Sequence, residues 1–400
     1  MKNTIISLLL ALLFLSGNAF SQVKVKYKES KPGYYQNEIL EIGDTHFKAR
    51  TYLAIETEEN YPTNIDNYKV VWHNDPVTQG ATGTCWCFAT TSFMESEIYR
   101  IKGNEIKLSE MFFVYWEYVV RAKAYIENRG DIYFAQGSEA TSVPRIMKKY
   151  GAVPLSSYSG KLKGQKHHNH NKMFEEMHSY LLSVKESNAW DVDVAVSTIR
   201  SILDHYMGAV PGKLEYKGNE YTPISFLEYC EIKADDYFNF MSTMSQDYNQ
   251  KGELLEDDNW WHCDDYYNLN VEDFYQVAKN AIDNGYSISI CGDISEPGFD
   301  KYMEIAVIPE FDIPSDYINE ESREYRLNNK NTTDDHCIHI VGYYEGEEGE
   351  WFLIKDSNSG AYDGPNKGYR FMHADYIRLK MMNIMVYKYA ADFILDKIIK

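Results

Sequence analysis

Basic residues are scarce in this 400-residue chain: 40 lysines and arginines face 60 aspartates and glutamates, a formal net charge of −20 with an isoelectric point near 5.0. A surplus of that size repels phosphate backbones and anionic lipid, so nucleic acid is not an expected partner. Long apolar runs are also lacking outside the first 21 residues, where Lys2 precedes an apolar stretch at 5–15 and small side chains stand at Ala19 and Ser21. That stretch is shorter than the ~20 residues that span a bilayer. It reads as a secretory signal peptide cleaved before Gln22, which makes the expected mature chain exported, periplasmic or extracellular, with no membrane span.

Cysteine is the third scarcity. Six in 400 residues (Cys85, Cys87, Cys230, Cys263, Cys291 and Cys337) are too few for a disulfide scaffold, and no pair has C-x-x-C spacing. Zinc and dithiol redox chemistry are therefore not expected, and no metal or organic cofactor is called for. Cys85 and Cys87 stand too close along the chain to bridge each other, whereas Cys230, Cys263, Cys291 and Cys337 read as packing residues. The cluster His167, His168 and His170 has no matching ligand set and reads as a solvated loop, and Trp260 and Trp261 read as packing aromatics.

What is present is an ordinary globular composition, 44% hydrophobic and 25% charged, long enough for two or three domains. Residues 22–70 are polar with short strand-like pieces and form an N-terminal extension. Across 71–158 the pattern is helical, with helices expected from Cys85 to about Arg100, over 109–126, and over 139–150 before Gly151 and Pro154. Residues 159–270 look mainly helical and carry no catalytic signature. From 271 to 400 strands dominate, near 287–290, 337–341, 351–354 and 369–372, with the acidic stretch 345–350 as a hairpin turn. The sum is an α+β chain.

One chemical constellation stands out. The small-residue loop 79–84 delivers Cys85 to a helix start, where unpaired amides and the helix dipole favour a thiolate. A thiolate nucleophile needs a proton partner, and His336 opens a hydrophobic strand far along the chain. That ring needs an orienting group, and Asp356 follows the next strand. Gln79 can offer an amide to a developing oxyanion beside the backbone N–H of Cys85. His339, three positions after His336 on the same strand, faces the other way and reads as structural.

These residues resemble a known family. Gln79, Gly80, Gly83, Cys85, Trp86 and Phe88 resemble the active-site loop of papain-like cysteine peptidases; Asp335 to Tyr343 is similar to their histidine strand, and Trp351 to Ser357 to their asparagine strand. Leu108-Ser109-Glu110, Lys149 to Pro154 and Cys291-Gly292-Asp293 look most like the bleomycin hydrolase and bacterial aminopeptidase C branch. The resemblance covers roughly 70–156 and 286–390. It implies a two-lobed fold, a helical lobe bearing Cys85 and a β-barrel lobe bearing His336 and Asp356, with peptide or protein as substrate. It also implies substrate contacts at Trp86, Gly137 and Ser138, and an assembly that can be a homo-oligomer. Cys85 and His336 lie 251 positions apart, against about 130–150 in papain-type chains, so about a hundred residues are extra. The span 159–270 supplies them.

Three positions depart from the pattern. Asp356 stands where the family has asparagine, Asn358 where it has a shielding tryptophan, and Ser138 where it has a second glycine. The tail after Tyr387 is short for one that restricts the cleft to peptide termini, so exopeptidase and endopeptidase action are both open. Asp356 and Asn358 also leave a second reading, a catalytically idle papain-like module that binds peptides.

Overall fold

The computed structural model describes residues 23–42 and 46–399; the segment 1–21, read above as a signal peptide, lies outside the described residues. The chain opens with an antiparallel pair, β1 (Lys24–Glu29) and β2 (Thr51–Glu56), and a short β3 (Lys69–Val70) that pairs with the main sheet. Helices follow: α1 (Cys85–Lys102), α2 (Glu110–Glu127), α3 (Ser142–Tyr150), α4 (Asn171–Glu186) and α5 (Val192–Met207). A hairpin of β4 (Leu214–Tyr216) and β5 (Asn219–Tyr221) leads to α6 (Pro223–Cys230).

α1 is the central element of this half. Every residue from Trp86 to Ile98 is buried, polar ones included, because the helix is enclosed by its fellow helices on one side and the sheet on the other. Its buried charges are paired: Glu95 accepts from Lys107, Asn74 and the Leu108 amide, and Glu97 from Arg100. It ends at Gly103, whose φ of 64° closes the last turn at no steric cost. α2 starts one residue later than the sequence suggests because Ser109 is its cap, the hydroxyl accepting from the Phe112 amide at 3.2 Å.

The second half builds one large sheet from β6 (Tyr237–Met241), β7 (Lys251–Gly252), β8 (Tyr266–Asn268), β9 (Ile288–Gly292), β10 (Phe299–Asp300), β11 (Ile305–Ala306), β12 (His336–Gly346), β13 (Gly349–Lys355), β14 (Tyr369–His373) and β15 (Met381–Tyr387). Its order is β10-β11-β14-β13-β12-β9-β15-β6-β8-β7. After three helices, the 159–270 span thus ends by giving β6, β7 and β8 to the sheet. α7 (Val271–Asp283) packs Phe274, Val277, Ala278 and Ala281 on the sheet, in one cluster with Ile338, Ile340 and Ile354. α8 (Glu320–Asn328) and α9 (Ala374–Lys380) lie between strands, and α10 (Asp392–Ile398) buries Ile394 and Leu395 in the α7 cluster. A polar seam joins the halves: Ser92 of α1 meets His339 at 2.8 Å and Lys355 at 2.8 Å, and Thr90 meets Ser289 at 3.0 Å. Among the described residues no helix is long and apolar enough to cross a membrane.

Candidate active site

Cys85 is the first residue of α1, half-buried, with a free thiol. Thr84 precedes it and makes no side-chain cap; the Cys87 amide turns back to the Thr84 carbonyl at 3.0 Å, which leaves the Cys85 and Trp86 amides available to an anion. The loop before it is held from two sides. Gly80 adopts φ 70°, and a β-carbon there would come within 2.4 Å of the His168 carbonyl; the Ala81 amide donates to that carbonyl at 2.8 Å, and the His170 amide to the Ala81 carbonyl at 3.1 Å. The histidine cluster is therefore not a solvated loop throughout. His170 is buried under Tyr118, and burial pushes His168 and His170 both down to about 3, so both rings are neutral while their backbone groups brace the loop. Among the described residues no group of three or more metal-ligating side chains is placed to hold an ion.

Gln79 lies beside the thiol loop with its side chain fixed at both ends. Its carbonyl oxygen accepts from the Ser357 hydroxyl at 2.7 Å, and its amide donates one N–H to the Thr82 carbonyl at 2.7 Å, leaving the second N–H uncommitted. Trp86 differs from the expectation of a substrate contact. It is fully buried, and its indole N–H holds the Gln136 carbonyl at 3.1 Å, so it tethers the 136–138 loop from below. In that loop Gly137 gives its carbonyl to Arg121 and has no room for a β-carbon beside Asp258, while Ser138 turns its hydroxyl inward to Glu117 at 3.0 Å. Trp260 also donates to Glu117, at 2.8 Å, the packing role read from the sequence.

The sheet supplies the other half. His336 opens β12, and its Nε2 bonds an Asp356 oxygen at 2.7 Å. Asp356 lies just past the end of β13, at under 2% exposure, and takes two further donors: the Asn358 amide at 2.8 Å on the same oxygen, and Arg370 Nε at 3.0 Å on the other. Burial would lower the proton affinity of His336, but the Asp356 carboxylate and the nearby Cys85 sulfur hold it up to about 10. Burial would raise Asp356, yet His336, Arg370 and the Asn358 amide bring it down to about 2. The pair is thus imidazolium and carboxylate, and with Nε2 engaged, Nδ1 is the nitrogen left to the thiol.

Arg370 was not among the sequence-derived site residues. Its signal was a charge on an otherwise apolar strand, one strand over from a carboxylate. Cys291 and Cys337 also differ from expectation: directly opposite each other in the β9–β12 register, they form a disulfide instead of packing as thiols. That pairing depends on register between strands 46 residues apart, which composition does not reveal.

Two more features border the site. Glu139 and Asp334 share the Asn383 amide, at 3.2 and 2.9 Å; burial, then the Asp258 and Glu256 charges, push Glu139 up to about 8, and burial with Glu139 as neighbour raises Asp334, which also feels the Cys85 sulfur. On the Gln79 side, Tyr35 and Gln36 of the N-terminal extension close a cavity of about 530 Å3 lined by Gly80, Thr82, Asn358 and Asp363. Tyr34 stacks on Tyr362 with ring centres 4.9 Å apart.

A solved structure, PepW from Lactobacillus rhamnosis HN001, is similar over 84% of this chain and 85% of its own, with a TM-score of 0.66 and 16% identity. The chain accordingly has the papain-like α+β fold. No protein-family profile and no curated protein matches it.

Proposed function

We propose that this protein is a cysteine peptidase that cleaves peptide bonds through a thioester on Cys85. The observation that carries the reading is the convergence of a helix-start thiol with a histidine whose far nitrogen is bonded to a buried carboxylate at 2.7 Å. The Cys85 thiolate attacks the carbonyl carbon while the Cys85 amide and the free Gln79 N–H receive the oxyanion. His336, as imidazolium, gives its proton to the leaving amine. Water, deprotonated by the now neutral ring, then attacks the thioester, releases the acyl group as the carboxylic acid product and restores the thiolate–imidazolium pair. Asp356 keeps the ring in plane and favours its charged form.

The narrower reading is an exported, aminopeptidase C-like enzyme. It is supported by the branch resemblance and by the leader-like first 21 residues. The Cys291–Cys337 disulfide suits an oxidising compartment. The idle-module reading drew on Asp356 and Asn358; the bond from Asp356 to His336 weighs against it.

Purified mature protein incubated with matched peptides, free or acetylated at the N-terminus, tests both levels. Cleavage that needs the free amine supports the aminopeptidase reading. Internal cleavage of the acetylated peptide makes it an endopeptidase, and no cleavage of any library member together with an unreactive Cys85 removes the peptidase reading.

A further inference from the structure

We infer that Arg370 is a positioning residue for His336, and that it works with Asp356 as one charge-compensated unit; the inference rests on the peptidase reading of the same site. The geometry is specific. Arg370 sits opposite Ile354 in the β13–β14 register, which aims its side chain at the end of β13 where Asp356 lies. Its guanidinium is 2% exposed, donates from Nε to the Asp356 oxygen that His336 does not use, and lies over the Phe299 ring at 4.6 Å. Nη1 is buried with no hydrogen-bond partner. Among the described residues its one ion pair is with Asp356.

A buried carboxylate next to a catalytic imidazole raises a problem that a neutral amide would not. Alone, it binds the proton of the ring so strongly that the imidazolium becomes a reluctant acid, and its own desolvation is costly. Arg370 addresses both. It shares the carboxylate, so His336 experiences a tempered negative charge, and it fixes the second oxygen, so the first stays in the plane of the ring. The groups that face His336 are Cys85 from α1, Asp356 after β13 and the adjacent Asp335. Tyr362 faces Asp356 and Tyr376 faces Arg370, and burial keeps both phenols protonated. None of these replaces the guanidinium.

The signs of the expected effects are opposite, which separates positioning from bulk stability. In Arg370→Met the full field of Asp356 falls on His336, so the alkaline limb of the rate profile moves up by about one pH unit while kcat falls about tenfold at little change in KM. In Asp356→Asn the guanidinium is left without its counter-charge beside the ring, so the limb moves down and kcat falls at least as far. The double variant Asp356→Asn with Arg370→Met removes both charges and returns kcat to within a few-fold of the parent. Arg370→Lys, which keeps the charge and loses the Nε geometry, should hold the limb in place with a partial loss of kcat.

The same shifts are read without peptide turnover, from the pH dependence of iodoacetamide alkylation at Cys85 and from the His336 ring titration by NMR, with thermal melting to show folding. A parent that alkylates with shifted limbs in the variants but cleaves no peptide defeats the peptidase reading and leaves the inference intact. Unchanged limbs in folded Arg370→Met together with Asp356→Asn, a limb in Arg370→Lys displaced as far as in Arg370→Met, or a double variant no better than Asp356→Asn alone, overturn it.

Discussion

Cys85 and Cys87 stand two apart on α1, and His336 and His339 three apart on β12, yet each pair divides between the site and the interior. Cys85 is half-exposed at the helix start, whereas Cys87 is buried, bonded to the Glu110 carbonyl at 3.1 Å, and burial pushes its thiol well up. His336 and His339 are both buried on opposite faces of one strand. Asp356 carries the first up to about 10; the second has the Ser92 hydroxyl as its bond partner and Lys355 and His73 as neighbours, so burial drives it well down. Burial is common to both histidines. The charge of the partner sets the direction.

The sharpest way to break this comparison is to exchange thiols. Cys85→Ser should lose at least about 10³-fold in peptide hydrolysis and all fast iodoacetamide labelling, while Cys87→Ser stays active, as peptide assays and mass spectrometry will read. Equal labelling of both cysteines would remove the distinction.

The histidines come next. His336→Gln should lower kcat by about 10²–10⁴ with unfolding unchanged; His339→Gln should instead cost ~1–3 kcal/mol in urea unfolding by disturbing the buried bond to the Ser92 hydroxyl, with kcat retained. On the proposed peptidase mechanism the proton donor is His336 in its charged form. Activity should therefore persist across the neutral and mildly alkaline range and decline as pH rises through about 10, where the imidazolium gives up its proton.

The smallest effect on chemistry is expected at the disulfide. Replacing Cys291 and Cys337 by serine should cost ~2–4 kcal/mol in thermal or urea unfolding and leave the rate of the folded fraction nearly unchanged. Deleting the chain from 392 onward tests the tail in the same way. Since Ile394 and Leu395 are buried against α7, the expected loss is stability, without a gain in internal cleavage.

Local signals carried the elements that matter most. The small-residue loop before a helical run placed Cys85, short apolar runs placed the strands at His336 and before Asp356, and their order along the chain pointed to a shared site. The 79–84 loop was legible, but its brace by His168 and His170 was not, because those contacts are made by backbone groups that any residue type could supply. Trp86 was misassigned for a related reason: a large aromatic beside a nucleophile has the same sequence signature whether it lines a cleft or fills the core beneath it.

By itself the sequence determined the α+β pattern, the thiol at a helix start and the acidic balance, since periodicity, helix-start chemistry and charge are read within a few residues or summed over all of them. Only the tertiary structure decided that Arg370 meets Asp356 and that Cys291 meets Cys337. Each depends on which strands lie side by side and in what register, and a one-residue slip would send every one of those side chains to the opposite face.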